Sequence, residues 1–189
     1  NRVMVTSALP REGKTFVAVN LALSMAMERD TTVLLVDADA TRPAVLERLG
    51  LPPLKGMLDV LSEPNMDVET VLLRTNVEGL SILPAGTLHA QATEMLASRR
   101  MNALVNKLSS RFPNRILLFD APPLLGSTES RVLAAHMGQI VLVIEADRTP
   151  QKTVLEALET IEECPVVMTL LNKASSSEAG SYYGSRMSE

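Results

Sequence analysis

The chain has 189 residues, 46% of them hydrophobic, with 22 acidic against 18 basic side chains and a formal net charge of −4. That length suits one domain with a full core, and the acidic balance argues against a general nucleic-acid binder, which carries a basic excess. A single cysteine and two histidines leave no Cys/His zinc site and no intramolecular disulfide; no apolar run reaches bilayer length, so no direct membrane insertion is expected, and a reducing cytoplasm fits.

The opening Asn1-Arg2-Val3, without initiator methionine or leader, reads as the start of a piece cut from a longer chain. The first apolar run, Val3 to Thr6, predicts a strand. It leads into Ala8-Leu9-Pro10-Arg11-Glu12-Gly13-Lys14-Thr15. This fits the phosphate-loop pattern G-x-x-x-x-G-K-[ST], with Ala8 in place of the first glycine. Pro10, Arg11, Glu12, Gly13, Lys14, Thr15 and Phe16 are therefore expected around a nucleotide. Gly13 lets the backbone close on phosphate, and the loop amides and helix N-terminus face the anion. Lys14 reaches the β- and γ-phosphates, and the Thr15 hydroxyl binds Mg²⁺. The helix that follows, Thr15 to Glu28, places Val17, Leu21 and Met25 on one face.

The second strand, Thr32 to Val36, ends in Asp37-Ala38-Asp39. Two carboxylates two residues apart at a strand end point to the same side. One of them could orient a metal-bound water and the other take a proton from an attacking hydroxyl. A plainer reading makes them a helix cap and a surface acid before Pro43 and Ala44. Further strands are predicted at Leu80 to Leu83, Ile116 to Phe119, Ile140 to Ile144 and Val166 to Leu171, and helices at Ala92 to Leu108 and Thr149 to Glu162. The fourth of the six strands ends in Asp120-Ala121-Pro122-Pro123, where Asp120 should hold Mg²⁺ directly or through water. Asn172, after the last strand, could pair with an adenine edge or simply end the strand. Cys164, behind two glutamates, reads as an inert thiol, and His89 and His136 as structural.

Short apolar strands alternating with helices predict an α/β three-layer P-loop NTPase fold, with a mostly parallel sheet buried on both faces. Ligands in such folds sit at the carboxyl ends of the strands, and three of the polar motifs fall there. Residues 1–173 are expected to form this domain. Residues 174–189 are small and polar and are expected to be a flexible tail. That tail nevertheless carries both tyrosines of the chain, Tyr182 and Tyr183, which suits phosphoacceptors on a mobile arm or an oligomer contact.

Together these motifs resemble the bacterial tyrosine kinases, the BY-kinase family, and within it the exosortase-associated tyrosine autokinases of exopolysaccharide export. The segments Leu83-Pro84-Ala85-Gly86, Asp120-Ala121-Pro122-Pro123, His136-Met137-Gly138-Gln139 and Asn172-Lys173-Ala174 extend the resemblance over essentially the whole chain. It implies ATP and Mg²⁺ as cofactors, Lys14 and Thr15 as phosphate and metal ligands, Asp37 and Asp39 as the kinase-specific acids, and Asp37 and Asp120 as metal-organising groups. It further implies that Tyr182 and Tyr183 are phosphorylated in trans within a homo-oligomer, and that a membrane-bound chain-length regulator recruits the kinase to the inner face of the membrane. The family arginine two residues after the second Asp is Thr41 here, with Arg42 next; Arg11 stands where many members have glycine; and the ring-supporting arginine helix would precede Asn1. The rivals are a ParA/MinD-type ATPase, whose signature lysine would fall at Leu9, and an ATP-switched scaffold.

Overall fold

The computed structural model describes residues 1–111 and 114–175. Among the described residues seven strands form one sheet: β1 (Arg2–Ser7), β2 (Thr32–Asp37), β3 (Leu73–Arg74), β4 (Leu80–Leu83), β5 (Arg115–Asp120), β6 (Gln139–Glu145) and β7 (Val167–Asn172). Their spatial order is β3-β4-β2-β5-β1-β6-β7. Every pairing is parallel except the two-residue edge strand β3 against β4. The helices are α1 (Lys14–Ala26), α2 (Val45–Arg48), α3 (Met57–Ser62), α4 (Ala92–Leu96), α5 (Arg99–Arg111), α6 (Thr128–Ala134) and α7 (Gln151–Glu159), with a 3₁₀ turn at Val68–Val71.

Alternation along the central strands divides the core into two layers. Val3, Val5, Val33 and Leu35 pack against Val17, Ala18 and Ala22 of α1. Met4, Leu34, Val36 and Phe119 pack with residues of α3 to α7 on the other face. This three-layer arrangement is the one predicted. The buried seam of α1 is Ala18, Ala22 and Ala26, whose small side chains let the helix lie close on the sheet. Leu21 and Met25, expected at its centre, are only half-buried.

Two other expectations change. The helix predicted over Ala92 to Leu108 is two helices, α4 and α5. Ser98 separates them: its amide turns back to the Met95 carbonyl, and its hydroxyl accepts the Met101 amide as a helix cap. Strand β7 lies at the sheet edge rather than between covering layers; Met168, Leu170 and Leu171 are 42%, 36% and 67% exposed.

The Leu83-Pro84-Ala85-Gly86 segment is a docking rail for α3. The Pro84 and Ala85 carbonyls accept the Met57 and Leu58 amides, each at 2.8 Å. Asp59 Oδ2 accepts the amides of Gly56 at 2.8 Å and Thr87 at 3.0 Å. Burial tends to raise the pKa of Asp59, but the amides of Thr87 and Gly56 outweigh it and hold it below the ordinary value. This rail forms one wall of an apolar cavity that Asp37 also lines.

Candidate active site

The loop between β1 and α1 is shaped by its own side chains. The Ser7 hydroxyl donates to the Leu9 carbonyl at 2.7 Å, and Glu12 Oε2 accepts the Leu9 amide at 2.7 Å. Glu12 is buried, and its other oxygen accepts the Thr149 hydroxyl at the β6–α7 turn. Gly13 has φ 98, and a Cβ there would collide with the Asn172 amide. No side chain caps the start of α1, so its first amides remain available to an anion.

Strand β7 clamps the loop from one side. Asn172 Nδ2 donates to the Glu12 carbonyl at 2.9 Å, and Lys173 Nζ donates to the Arg11 carbonyl at 2.8 Å and to Glu145 at 3.0 Å. A cavity of about 400 Å³ opens over the loop. Of the residues expected around a nucleotide, Arg11, Gly13, Lys14, Thr15, Phe16 and Asn172 line it, and among the described residues no carboxylate does. Within that predicted set, the Glu12 side chain turns inward to brace the loop, and exposed Pro10 does not line the cavity. The Asn172 amide nitrogen is committed to the loop carbonyl rather than held out toward a base.

The acids gather on the opposite side, where β2 and β5 end. Asp37 and Asp120 are register partners on these neighbouring strands. Lys14 Nζ lies 2.7 Å from Asp39 Oδ2 and 3.9 Å from Asp120 Oδ1. The second oxygen of Asp39 accepts the Thr41 hydroxyl at 2.9 Å and the Arg42 amide at 3.0 Å. Asp37 Oδ2 accepts the Val45 amide at 3.1 Å, which fastens the start of α2. Asp37 Oδ1 and both Asp120 oxygens are buried without a hydrogen bond of ordinary geometry. Burial, then the charge of Asp120, pushes Asp37 up to about 7. Burial also raises Asp120 to about 6, against the opposing pull of Lys14 and the nearby Thr15 hydroxyl.

Buried carboxylate oxygens without partners, beside a threonine hydroxyl, form a hard-oxygen donor set that suits Mg²⁺. No group of three or more His, Cys, Asp or Glu among the described residues forms a metal cage of its own. Asp37 also lines a second, largely apolar cavity of about 900 Å³, walled by Leu46, Leu51, Leu54 and the rail from Pro84 to Leu88. Two residues at the rim of the loop cavity lie outside the predicted set, Lys173 and Arg48; the helix that carries Arg48 is a single turn, with no periodic signal to announce it. Tyr182 and Tyr183 lie outside the described residues.

A phosphate loop opening an uncapped helix, with acids on two adjacent strand ends, defines a P-loop nucleotide-binding domain built for phosphoryl chemistry. A family model described as an AAA domain matches residues 12–176. The tyrosine-protein kinase YwqD of Bacillus subtilis is 30% identical over 97% of this chain and 78% of its own length. The tyrosine-protein kinase ptk of Acinetobacter johnsonii is 29% identical over 95% of this chain; this chain spans only 24% of that relative's length. Among solved structures, the kinase domain of VpsO matches with a TM-score of 0.82 and 32% identity, over 93% of this chain and 85% of that one. The septum-site protein MinD of Pyrococcus horikoshii, complexed with Mg-ADP, matches with a TM-score of 0.75 at 20% identity, over 90% of this chain and 69% of its own, a likeness of fold alone. The chain belongs to the bacterial tyrosine-protein kinase family and carries its P-loop kinase domain.

Proposed function

We propose that this domain transfers the γ-phosphoryl group of MgATP to tyrosine, with Tyr182 and Tyr183 of a second copy as the acceptors. The observation that carries the reading is the Lys14–Asp39–Asp120 cluster beside the phosphate loop, with Asp37 adjoining an apolar cavity. Incoming phosphates draw Lys14 away from Asp39, and Lys14 then neutralises charge on the transferring group. Thr15 and Asp120 would hold Mg²⁺, which would supply neutralisation of charge on the nucleotide phosphates. The phenol enters along the apolar cavity. Its oxygen bonds to the γ-phosphorus while the bond from that phosphorus to ADP breaks in line, and Asp37 Oδ1 takes the phenolic proton. Asp37 is favoured over Asp39 as the base because Asp37 lines the apolar cavity and keeps one oxygen without a hydrogen bond, whereas Asp39 does not line that cavity and is tied to Thr41 and Arg42.

At the level of the whole protein, the reading extends to regulation of exopolysaccharide polymerisation and export, of the exosortase-associated kind. Phosphorylation adds negative charge to the tail and loosens a homo-oligomer by repulsion. No helix among the described residues is long and apolar enough to cross a membrane, and a membrane-bound chain-length regulator supplies recruitment from the cytoplasm. Nucleic acid is not among the partners. The test is incubation of the oligomer-competent protein with MgATP and mapping of phosphate by mass spectrometry. Label at Tyr182 or Tyr183, lost in Lys14→Met, supports the reading. Absence of phosphate from both tyrosines sinks the autokinase, and full labelling in Lys14→Met sinks the site. A Lys14→Met copy labelled by an active copy lacking both tyrosines establishes transfer in trans.

A further inference from the structure

Among the described residues, four cationic side chains, Arg11, Lys14, Arg48 and Lys173, line the cavity over the phosphate loop, and no acid lines it. Two of them are already engaged. Lys14 is held by Asp39, and Lys173 by the Arg11 carbonyl and Glu145. Arg48 is placed differently. It ends α2, whose start is fastened by the Asp37–Val45 bond and by complete burial of Val45. The Arg48 amide closes this turn on the Ala44 carbonyl at 3.1 Å. Its guanidinium has no hydrogen bond or ion pair with any described residue, yet its charge reaches Asp120.

The sheet order gives the two rims of the cavity different meanings. Asn172 and Lys173 come from β7, on one side of β1. Arg48 follows β2, on the side where Asp37, Asp39 and Asp120 gather. The end of the nucleotide that reacts must lie on the acid side. Resting on the reading that this loop binds MgATP, we propose that Arg48 contacts the γ-phosphate and makes the site discriminate a triphosphate from a diphosphate. A guanidinium suits that task, since its planar fork can hold two phosphate oxygens at once. Nothing in the spacing of the sequence marks Arg48, and Arg42, the nearer arginine to the acids in sequence, does not line the cavity.

The experiment is equilibrium binding of Mg-ADP and of a non-hydrolysable Mg-ATP analogue to the wild type, Arg48→Ala, Arg48→Lys and Arg42→Ala, with nucleotide-free melting curves as the folding control. Arg48→Ala should weaken the triphosphate about tenfold and leave the diphosphate within about twofold. Arg48→Lys should fall between, and Arg42→Ala should keep the wild-type ratio. An unchanged ratio in Arg48→Ala, or equal loss of both nucleotides, overturns the inference while leaving the nucleotide site standing. A wild type that binds neither nucleotide overturns both.

Discussion

Individual carboxylates beside the phosphate loop are denied their usual hydrogen bonds. Asp37 and Asp120 sit on adjacent strand ends with pKa values raised by burial to about 7 and about 6. A carboxyl raised in the folded state keeps a proton there that the unfolded chain has already released. Its contribution to stability is full below the ordinary value of 3.8 and is lost as pH climbs through about 6 and 7. In chelator, without nucleotide, the stability contributed by this pair should therefore fall between about pH 4 and pH 7, and the melting temperature with it. Asp37→Asn removes one of the two repelling charges, so its melting temperature should gain on the wild type as pH rises. Melting curves of both proteins at four pH values in EDTA check this; a difference that stays flat with pH counts against the raised pKa. The same substitution should lower tyrosine phosphorylation by about 10²–10⁴-fold, the range for losing a general base, with nucleotide affinity little changed.

Elements, by contrast, are held by backbone geometry. Helix α3 docks on the Pro84–Gly86 rail because Gly56 brings its backbone against the Pro84 carbonyl, where a Cβ would collide. Gly86 (φ 96) meets Asp59 from the other side. Asp59→Ala strips the Gly56 and Thr87 amides of their acceptor and should cost about 2–4 kcal/mol; urea unfolding at neutral pH measures it. That cost should shrink toward acid pH, because Asp59 has a lowered pKa and its contribution exists above 3.8 and fades as pH falls further. Gly56→Ala should be worse than Asp59→Ala, since backbone rather than a side chain has to move. The rail was legible in the sequence only as a family signature; its work depends on contacts with a segment about 30 residues away. Strands β1, β2 and β5 were legible because apolar runs ending in a polar motif have one plausible placement in a parallel sheet. β3 is too short to show a pattern, and Ser98 divides a stretch whose helical period continues on both sides of it. Lys14, Thr15, Asp37, Asp39 and Asp120 were readable from position after a strand. The inward turn of Glu12 and the bond from Asn172, 160 residues away, were not, because they exist only once the sheet has brought β6 and β7 alongside β1.

At the scale of the whole molecule, the phosphate loop is where distant parts of the chain are tied together. It hangs from β1, opens α1, receives Thr149 from the β6–α7 turn through Glu12, and receives Asn172 and Lys173 from the end of β7. On its far side Lys14 reaches the ends of β2 and β5. A ligand that fixes this loop therefore restrains nearly every strand of the sheet, and its binding energy is felt by the domain as a unit. At about 100 times its dissociation constant, Mg-ADP should add roughly 2.7 kcal/mol. For a domain of this size that is a rise in melting temperature of about 5–10 °C. Lys14→Met should abolish most of the rise while leaving the nucleotide-free protein folded. Asn172→Ala tests the tie itself. It removes one buried-side bond to the loop carbonyl, worth about 1 kcal/mol, so the nucleotide-free melting temperature should drop by about 2–4 °C. The Mg-ADP-induced rise should also shrink, because part of the binding energy then goes to ordering a loop that β7 no longer holds. A nucleotide-induced rise of unchanged size in Asn172→Ala would mean that β7 stabilises the fold without shaping the loop.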